Sequence, residues 1–419
     1  MSDPTWLTEG ARHLWRPYAQ MKIAAPPLPV ARTEGARLHL TDGRVLIDGI
    51  ASWWTACHGY NHPHILAAMH AQLETMPHVM LGGLAHEQAY RLSARLAALL
   101  PGDLDHVFFA ESGSVSVEIA MKMAVQYHLN RGKRGRTKFV SFRGGYHGDT
   151  IAAMSVCDPD EGMHALFAGA LPAQHIADLP RDAASEAALD ALLARHDDTA
   201  AILVEPLVQG AGGMLFHDAA VLRRLRRLAD KHGVLLIFDE IFTGFGRTGT
   251  MFAMQQADVI PDIVTLSKAL TGGAAPLSAA IARTHVFEAF WSDDPMRALM
   301  HGPTYMGHAL GCAAANASLD LFERGEWSAN VARIARGLEQ GLAPCRDLPG
   351  VVDVRVKGAI GVVELDQPPN IAALTARIVE HGVWIRPFNR IVYLTPAFII
   401  TDNELAQLAS AIRSVLSAR

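Results

Sequence analysis

Between residues 106 and 267 the chain alternates two kinds of segment, and this alternation restricts the fold more than any single motif does. Short apolar runs, "HVFFA" (106–110), "KFVSF" (138–142), "AILVEP" (201–206), "VLLIFDE" (234–240) and "DIVTLS" (262–267), are separated by longer stretches such as "VSVEIAMKMAVQYHLN" (115–130) and "DAAVLRRLRRLADKHG" (218–233). A near-continuous apolar run reads as a strand covered on both faces. Such strands, joined by helix-length connections, make a mainly parallel sheet with helices on both sides. The chain ends read differently. Residues 30–54 are strand-and-turn pieces with "TDG" as a hairpin turn, 306–340 are helical and Ala-rich, and 351–419 carry "VVDVRV", "AIGVVEL" and "RIVYLTP" with helices between. The pattern predicts an α/β protein: a large central domain over 61–310 and a smaller α+β domain built from 1–60 and 311–419.

The chain is long enough for such a division, with 419 residues of which 50% are hydrophobic and 19% charged. A formal charge of −5 gives no general attraction for nucleic acid or anionic membrane. Cys57, Cys157, Cys312 and Cys345 are far apart and form no CxxC, which argues against a disulfide scaffold or zinc ribbon and fits a reducing cytosol. The opening "MSDPTWLTEGARHLWRPYAQM" has no apolar segment of the secretory kind, and no apolar run reaches the roughly 18 residues of a spanning helix. A cytoplasmic protein with neither membrane nor nucleic-acid partner is expected.

In open parallel sheets, ligands bind beyond the carboxyl ends of the strands. The residues that follow the five runs are Glu111-Ser112-Gly113-Ser114, the loop "RGGYHGDT", Glu205-Pro206, Asp239-Glu240 and Lys268. The Ser112–Ser114 turn opens a helix, whose unpaired N–H groups suit a phosphate, although an ordinary serine cap would look the same. Lys268 stands between a buried-looking strand and a Gly-rich turn. A lysine there has a lowered pKa and becomes a nucleophile toward carbonyls. Pyridoxal phosphate is the cofactor that needs such a lysine together with a phosphate site and a carboxylate for its ring nitrogen, and Asp239 is placed for the last role. The plainer readings are a capping carboxylate for Asp239 and a snorkelling surface lysine for Lys268.

"LLIFDEIFTGFGRTGTMFA" and "PDIVTLSKALTGG" resemble the class III pyridoxal-phosphate aminotransferases of fold type I, and the resemblance runs essentially end to end. "HLWRPYAQM", "DGIASWWTACHGYNHP", "HVMLGGLAH", "MSVCDPDEGMH", "HGPTYMGHALGCAAANASL" and "GVWIRPF" narrow it to a branch that aminates 8-amino-7-oxononanoate to 7,8-diaminononanoate in biotin synthesis, with S-adenosylmethionine as amino donor. The resemblance implies that Lys268 forms a Schiff base with the cofactor and carries the proton, with Asp239 on the pyridine nitrogen and Tyr18 in the same catalytic set. It implies that Gly113 and Ser114 hold the phosphate, joined by Pro303 and Thr304 from the partner subunit of a homodimer. Tyr146 would cover the cofactor ring and Glu205 support its polar edge. Tyr18, Trp53, Trp54, Tyr146 and Gly302 would line the substrate pocket, and Arg386 would bind a carboxylate.

Four other readings compete. "GFGRTG" (244–249) matches GxGxxG, the mark of a nicotinamide-dependent oxidoreductase, but Asp239, Glu240 and Thr243 intervene after the strand and no clean helix follows. "HGYNHPH" (58–64), His78 and His86 could hold a metal; turn and pocket-wall histidines fit better, and no metal is expected. "RGKRGRTK" (131–138) and "RRLRR" (223–227) could touch nucleic acid, yet the second alternates with Leu222, Leu225 and Leu228 as a surface helix does. Within the family, an ω-amino-acid or diamine transaminase with another donor or acceptor is the alternative activity.

Overall fold

A computed structural model of the protein describes residues 4–160, 164–167 and 169–418. Residues 1–3 of the N-terminal segment and 161–163 of the "MSVCDPDEGMH" segment therefore lie outside the described residues. The chain divides by its contacts into two compact units: the chain up to His62 together with the chain from Ala332 on, and the chain from Pro63 to Val331.

In the larger unit the described residues form a seven-stranded sheet. Its spatial order is Leu104–Ala110, Ser278–Arg283, Ile263–Leu266, Leu235–Asp239, Thr199–Val204, Lys138–Phe142, His175–Ala177. All neighbouring pairs are parallel except those of Ser278–Arg283, which runs antiparallel to both its neighbours. The five runs read from the sequence are all strands of this sheet. Ser278–Arg283, "SAAIAR", was not among them. It holds three alanines and one β-branched residue, so its local propensity is weak, and burial between two partners makes it a strand. The helix Gly113–Asn130 lays Val117, Ile119, Ala120, Met123 and Ala124 on the sheet, against Phe139, Leu203, Ile237 and Ile263. On Ala219–His232 the buried set is Val221, Leu222, Leu225, Leu228 and Ala229, which recur three and four apart along one face as an amphipathic helix requires. It ends at Gly233, whose φ of 59° closes the helix in the left-handed conformation.

Residues 311–331 belong with this larger unit, not with the tail as the sequence division had it. The Ala-rich helix Ala309–Glu323 is buried on nearly every side. Its Ala314, Ala317 and Leu321 pack on Ile65 of the helix Pro63–Thr75, and His64 bonds Asp320 at 2.7 Å. Small side chains let helices approach closely, so an alanine run of this kind belongs in a core. The contact boundary falls later, within the helix Glu326–Leu342.

The smaller unit holds one sheet of Val30–Glu34, Arg37–Leu40, Val45–Asp48 and Val383–Trp384, and another of Val351–Lys357, Ile360–Leu365 and Ile391–Leu394. The "TDG" hairpin turn is present, with Gly43 N–H donating to Leu40 O at 3.1 Å. The last helix, Asp402–Ser417, starts on a Thr401/Glu404 capping box. Just after Asp48 the backbone does something unusual: Ala51, Ser52, Trp53 and Trp54 have φ of 46°, 46°, 55° and 75°. This is a left-handed turn built without glycine, at a cost of about 1–2 kcal/mol for each residue. Trp54 N–H donates to Ile50 O at 2.8 Å and Thr55 N–H to Ala51 O at 2.9 Å. No helix among the described residues is long and apolar enough to cross a membrane.

Candidate active site

The polar groups converge where the parallel strands end. Lys268 opens a short 3-10 turn, Lys268–Thr271, one residue past the strand Ile263–Leu266, and its φ of 45° is left-handed. A non-glycine residue held there is strained, and such strain gathers at functional positions. Burial pushes the amine down to about 8, against the opposing pull of the Asp239, Glu205 and Asp149 charges. The first effect wins because desolvation acts on the whole ammonium while the carboxylates only partly repay it.

Asp239 is the last residue of the strand Leu235–Asp239, in parallel register with Thr265. Its Oδ1 accepts from Ile241 N–H at 3.1 Å and Thr265 Oγ1 at 3.3 Å, and its Oδ2 lies 2.8 Å from His147 Nδ1. An ionised carboxylate only accepts, so the His147 proton on this contact sits on Nδ1. Glu205 follows the strand Thr199–Val204; its two oxygens accept from Tyr146 N–H at 2.9 Å and Gly210 N–H at 2.8 Å. Burial raises its carboxyl to about 7, with His147 pulling down and Asp239 pushing up.

The loop after Lys138–Phe142 ties these groups to the helix start. Tyr146 donates its hydroxyl to Asp149 at 2.9 Å, and its ring stacks on His164 at 5.8 Å. Asp149 N–H donates to Ser114 Oγ at 3.1 Å. Gly148, at φ 126°, has no room for more: a Cβ there would lie 2.1 Å from Ser114 Oγ. Ser112 caps the helix through Val115 N–H, so the plain capping reading holds for Ser112, while Gly113 and Ser114 supply the first-turn N–H groups.

Lys268, Asp239, Glu205, Tyr146, Gly113 and Ser114 are thus gathered in the larger unit. Gly302 and Thr304 lie exposed on a loop of the same unit. Among the described residues they make no hydrogen bond to the lysine cluster. In the smaller unit, Arg386 lies over Trp53 at 4.4 Å and Tyr18 at 5.7 Å, and both rings are open, 37% and 51% exposed. Trp54, expected to line the pocket beside Trp53, is instead 7% exposed and packs edge-on against Tyr393 at 6.1 Å. Two consecutive side chains of a tight turn diverge, so one supports the wall and only the other can face a ligand.

His147 and Asp149 were missed by the sequence reading. Their signal was present, since both sit in "GGYHGDT" after a predicted strand, but nothing local shows that His147 reaches a carboxylate 92 positions on. Two of the candidate metal-binding histidines have structural work: His64 bonds Asp320, and His86 bonds Gly307 O at 2.7 Å while capping the helix Glu87–Leu99. A His175, His196 and Asp198 cluster sits at the amino ends of its strands, the opposite edge of the sheet from Lys268. The basic run is engaged internally, with Arg224 and Arg227 on Glu186 and Arg226 on Asp230 and Asp262. "GFGRTG" forms turns and leads into the short 3-10 segment Ala253–Gln256, not the helix a dinucleotide needs.

A nucleophilic lysine, a carboxylate oriented by a histidine and a cramped glycine cradle at a helix N-terminus match the amine, ring-nitrogen and phosphate requirements of pyridoxal phosphate. Fold and site together define a pyridoxal-phosphate-dependent enzyme of fold type I. The class-III aminotransferase family model matches residues 18–416. The adenosylmethionine-8-amino-7-oxononanoate aminotransferase of Corynebacterium glutamicum is 45% identical over 425 aligned residues, covering 100% of both chains. The crystal structure of the protein of the same name from Methanocaldococcus jannaschii superposes with a TM-score of 0.94 at 30% identity, covering 98% of each chain. An amine transaminase from an uncultivated Pseudomonas species, in PLP-bound form, does so with a TM-score of 0.88 at 32% identity, covering 97% of this chain and 98% of that one. The chain belongs to the class-III aminotransferases.

The lowered lysine gives a pH prediction. Only the neutral amine attacks an aldehyde, so the rate at which the apoprotein captures pyridoxal phosphate should climb as pH rises and level off above about 8. Stopped-flow growth of the visible band between pH 6.5 and 9.5, values bracketing that midpoint by roughly 1.5 units, measures it. A rate still climbing steeply at the upper end would mean an unperturbed lysine.

Proposed function

We propose that the protein transfers an amino group from S-adenosylmethionine to the ketone of 8-amino-7-oxononanoate, giving 7,8-diaminononanoate, a step of biotin synthesis. The chemistry rests on one observation, the buried Lys268 placed past the end of the strand Ile263–Leu266 at a left-handed φ of 45°, where burial lowers its amine against the pull of the Asp239, Glu205 and Asp149 charges. The substrate pair rests on the activity named for the full-length relatives.

Pyridoxal phosphate, when bound, supplies an aldehyde carbon that carries the amino group and a ring that draws electrons from the adjoining carbon. Gly113 and Ser114 would hold its phosphate, Asp239 its ring nitrogen, Tyr146 a ring face and Lys268 its aldehyde. Lys268 Nζ, displaced by the donor amine, is a base matched to neutral pH. It takes the proton from the donor Cα in the first half of the cycle and delivers a proton to C7 of the acceptor in the second. His147 keeps the Asp239 carboxylate turned to its task, and Glu205 holds the backbone of Tyr146 in place.

Arg386 receives the substrate carboxylate, for which a planar guanidinium is well shaped. Trp53 and Tyr18 offer π faces that suit both an aliphatic chain and a sulfonium cation. Pro303 and Thr304 serve the cofactor phosphate of a second copy in a homodimer, a role that the exposure of Thr304 beside the half-buried Pro303 favours. The four cysteines, buried and joined in no disulfide, suit a cytosolic enzyme.

Arg386→Ala should raise the KM for the keto acid by about two orders of magnitude while leaving cofactor affinity unchanged. Equal loss of both would remove Arg386 from substrate binding. The reading as a whole is tested by single turnover. S-adenosylmethionine, lysine and an ω-amine are offered separately to the holoenzyme, and the spectrum is followed before and after the keto acid is added. Bleaching by S-adenosylmethionine and recovery with the keto acid is expected. Bleaching by the ω-amine alone would favour the amine-transaminase reading, which the likeness to the Pseudomonas enzyme keeps in view.

A further inference from the structure

The left-handed turn Ala51–Trp54 is too strained to persist on its own, and the structure shows what holds it. Asp48, 1% exposed at the end of the strand Val45–Asp48, accepts from Ile50 N–H at 2.9 Å and Ser52 N–H at 2.8 Å. The same carboxylate accepts from the Tyr60 hydroxyl at 2.6 Å, and that hydroxyl also bonds Ser52 Oγ. Tyr60 is itself fixed, exchanging backbone hydrogen bonds with Gly35 in both directions. Asp48 and Tyr60 thus grip both the backbone and the side chain of Ser52, the second residue of the turn.

The clamp also adjoins the strand that leads to Arg386. Trp384 is the parallel partner of Asp48, and Gly49 N–H donates to Trp384 O at 2.9 Å. Arg386 follows two residues later, and its guanidinium lies 4.4 Å from the Trp53 ring centre. A single buried carboxylate therefore stands where the segment carrying Trp53 and the segment carrying Arg386 meet. Strain at a turn that presents an exposed aromatic ring is the kind that over-determined surroundings retain for function.

We propose that Asp48 and Tyr60 are positioning residues: they hold the left-handed turn so that Trp53 lies on the Arg386 guanidinium and aims its fork at the substrate carboxylate. This rests on the reading of Arg386 as the carboxylate receptor. The clamp touches no substrate; it acts through Trp53. Removing the Tyr60 hydroxyl frees the Ser52 side chain and unties Asp48 from Tyr60, leaving the Asp48 bond to Ser52 N–H to hold the turn alone; the turn relaxes toward ordinary φ, and the ring leaves the guanidinium. Glycine at position 52 adopts left-handed φ without strain and removes one of the turn's four strained positions, so it should offset the loss of the Tyr60 hydroxyl.

Tyr60→Phe in the holoenzyme should raise the KM for the keto acid about tenfold, the scale of one hydrogen bond to a charged group, with the cofactor's visible band and affinity unchanged. Ser52→Gly in the Tyr60→Phe background should bring that KM back to within about twofold of the parent. A merely structural Tyr60 would lower melting temperature and cofactor loading together, and Ser52→Gly would not restore KM. That pattern, or an unchanged KM in Tyr60→Phe where Arg386→Ala raises it, overturns the proposal. The geometry has its own readout, the near-UV circular dichroism of Trp53, isolated by subtracting the Trp53→Phe spectrum. It should be lost in Tyr60→Phe and recovered in the double variant, and persistence in Tyr60→Phe overturns the clamp. Loss and recovery of that signal, with KM unmoved there and in Arg386→Ala, would keep the clamp and overturn the carboxylate role.

Discussion

Lys268→Ala should abolish turnover, by about 10⁴-fold or more, and remove the visible band of the lysine–cofactor Schiff base, while the protein stays folded. The fold should survive because the ammonium is a burden on it. Burial lowers the amine's pKa although three carboxylates attract it, so the charged form is poorly compensated where it stands. Alanine relieves that desolvation. It also inherits, without worsening, the left-handed φ of 45°. Chemistry should fail because the variant loses the amine on which the Asp239, Glu205 and Asp149 charges act. Added small amines should restore a little activity to the variant, in proportion to their neutral fraction, because only the base is missing. Undiminished turnover, or a retained band, would move the catalytic amine elsewhere.

The reach of the sequence differs from element to element for physical reasons. "VLLIFDE" and "DIVTLS" declare themselves because strands buried on both faces need continuous apolar, β-branched residues, and the polar residue that ends each one has nowhere to go but the sheet edge. Asp239 and Lys268 are therefore legible in the amino-acid pattern alone. "SAAIAR" is not, because its strand character comes from pairing with Ile263–Leu266 and Leu104–Ala110, a tertiary effect. The Ala309–Glu323 helix reads as a helix but was given to the wrong unit, since alanine says a surface is close-packed without saying against what. His147 and Trp54 show the same limit at the site. The residue types are on view, but the His147–Asp239 bond and the burial of Trp54 on Tyr393 are set by loops that local pattern does not fix. The left-handed turn is wholly hidden, for Ala-Ser-Trp-Trp contains no glycine to announce it.

Asp239→Asn should reduce turnover by about 10²–10³-fold, the range expected for removing a preorganised charge from a buried reaction site. Asparagine keeps the shape and one acceptor oxygen, so Ile241 N–H and Thr265 Oγ1 can retain their partner on Oδ1. The second contact fails. His147 Nδ1–H, which now meets a carboxylate oxygen at 2.8 Å, would face an amide that donates there. The lost charge should also register elsewhere, and the signs are fixed. The Asp239 carboxylate raises the Lys268 pKa, so its loss should drop the midpoint for cofactor capture below about 8. It raises the Glu205 pKa as well, so that carboxyl should fall below about 7. A variant that lost turnover through misfolding would not move the capture midpoint downward. One that kept turnover within about tenfold, with the midpoint unmoved, would show that the negative charge beside His147 does no work in the reaction. Because the lysine midpoint reads the field of Asp239 directly, the two measurements together separate an electrostatic role from a scaffolding one. Only the electrostatic role explains why a carboxylate should be held, fully hydrogen-bonded, at the end of a buried strand.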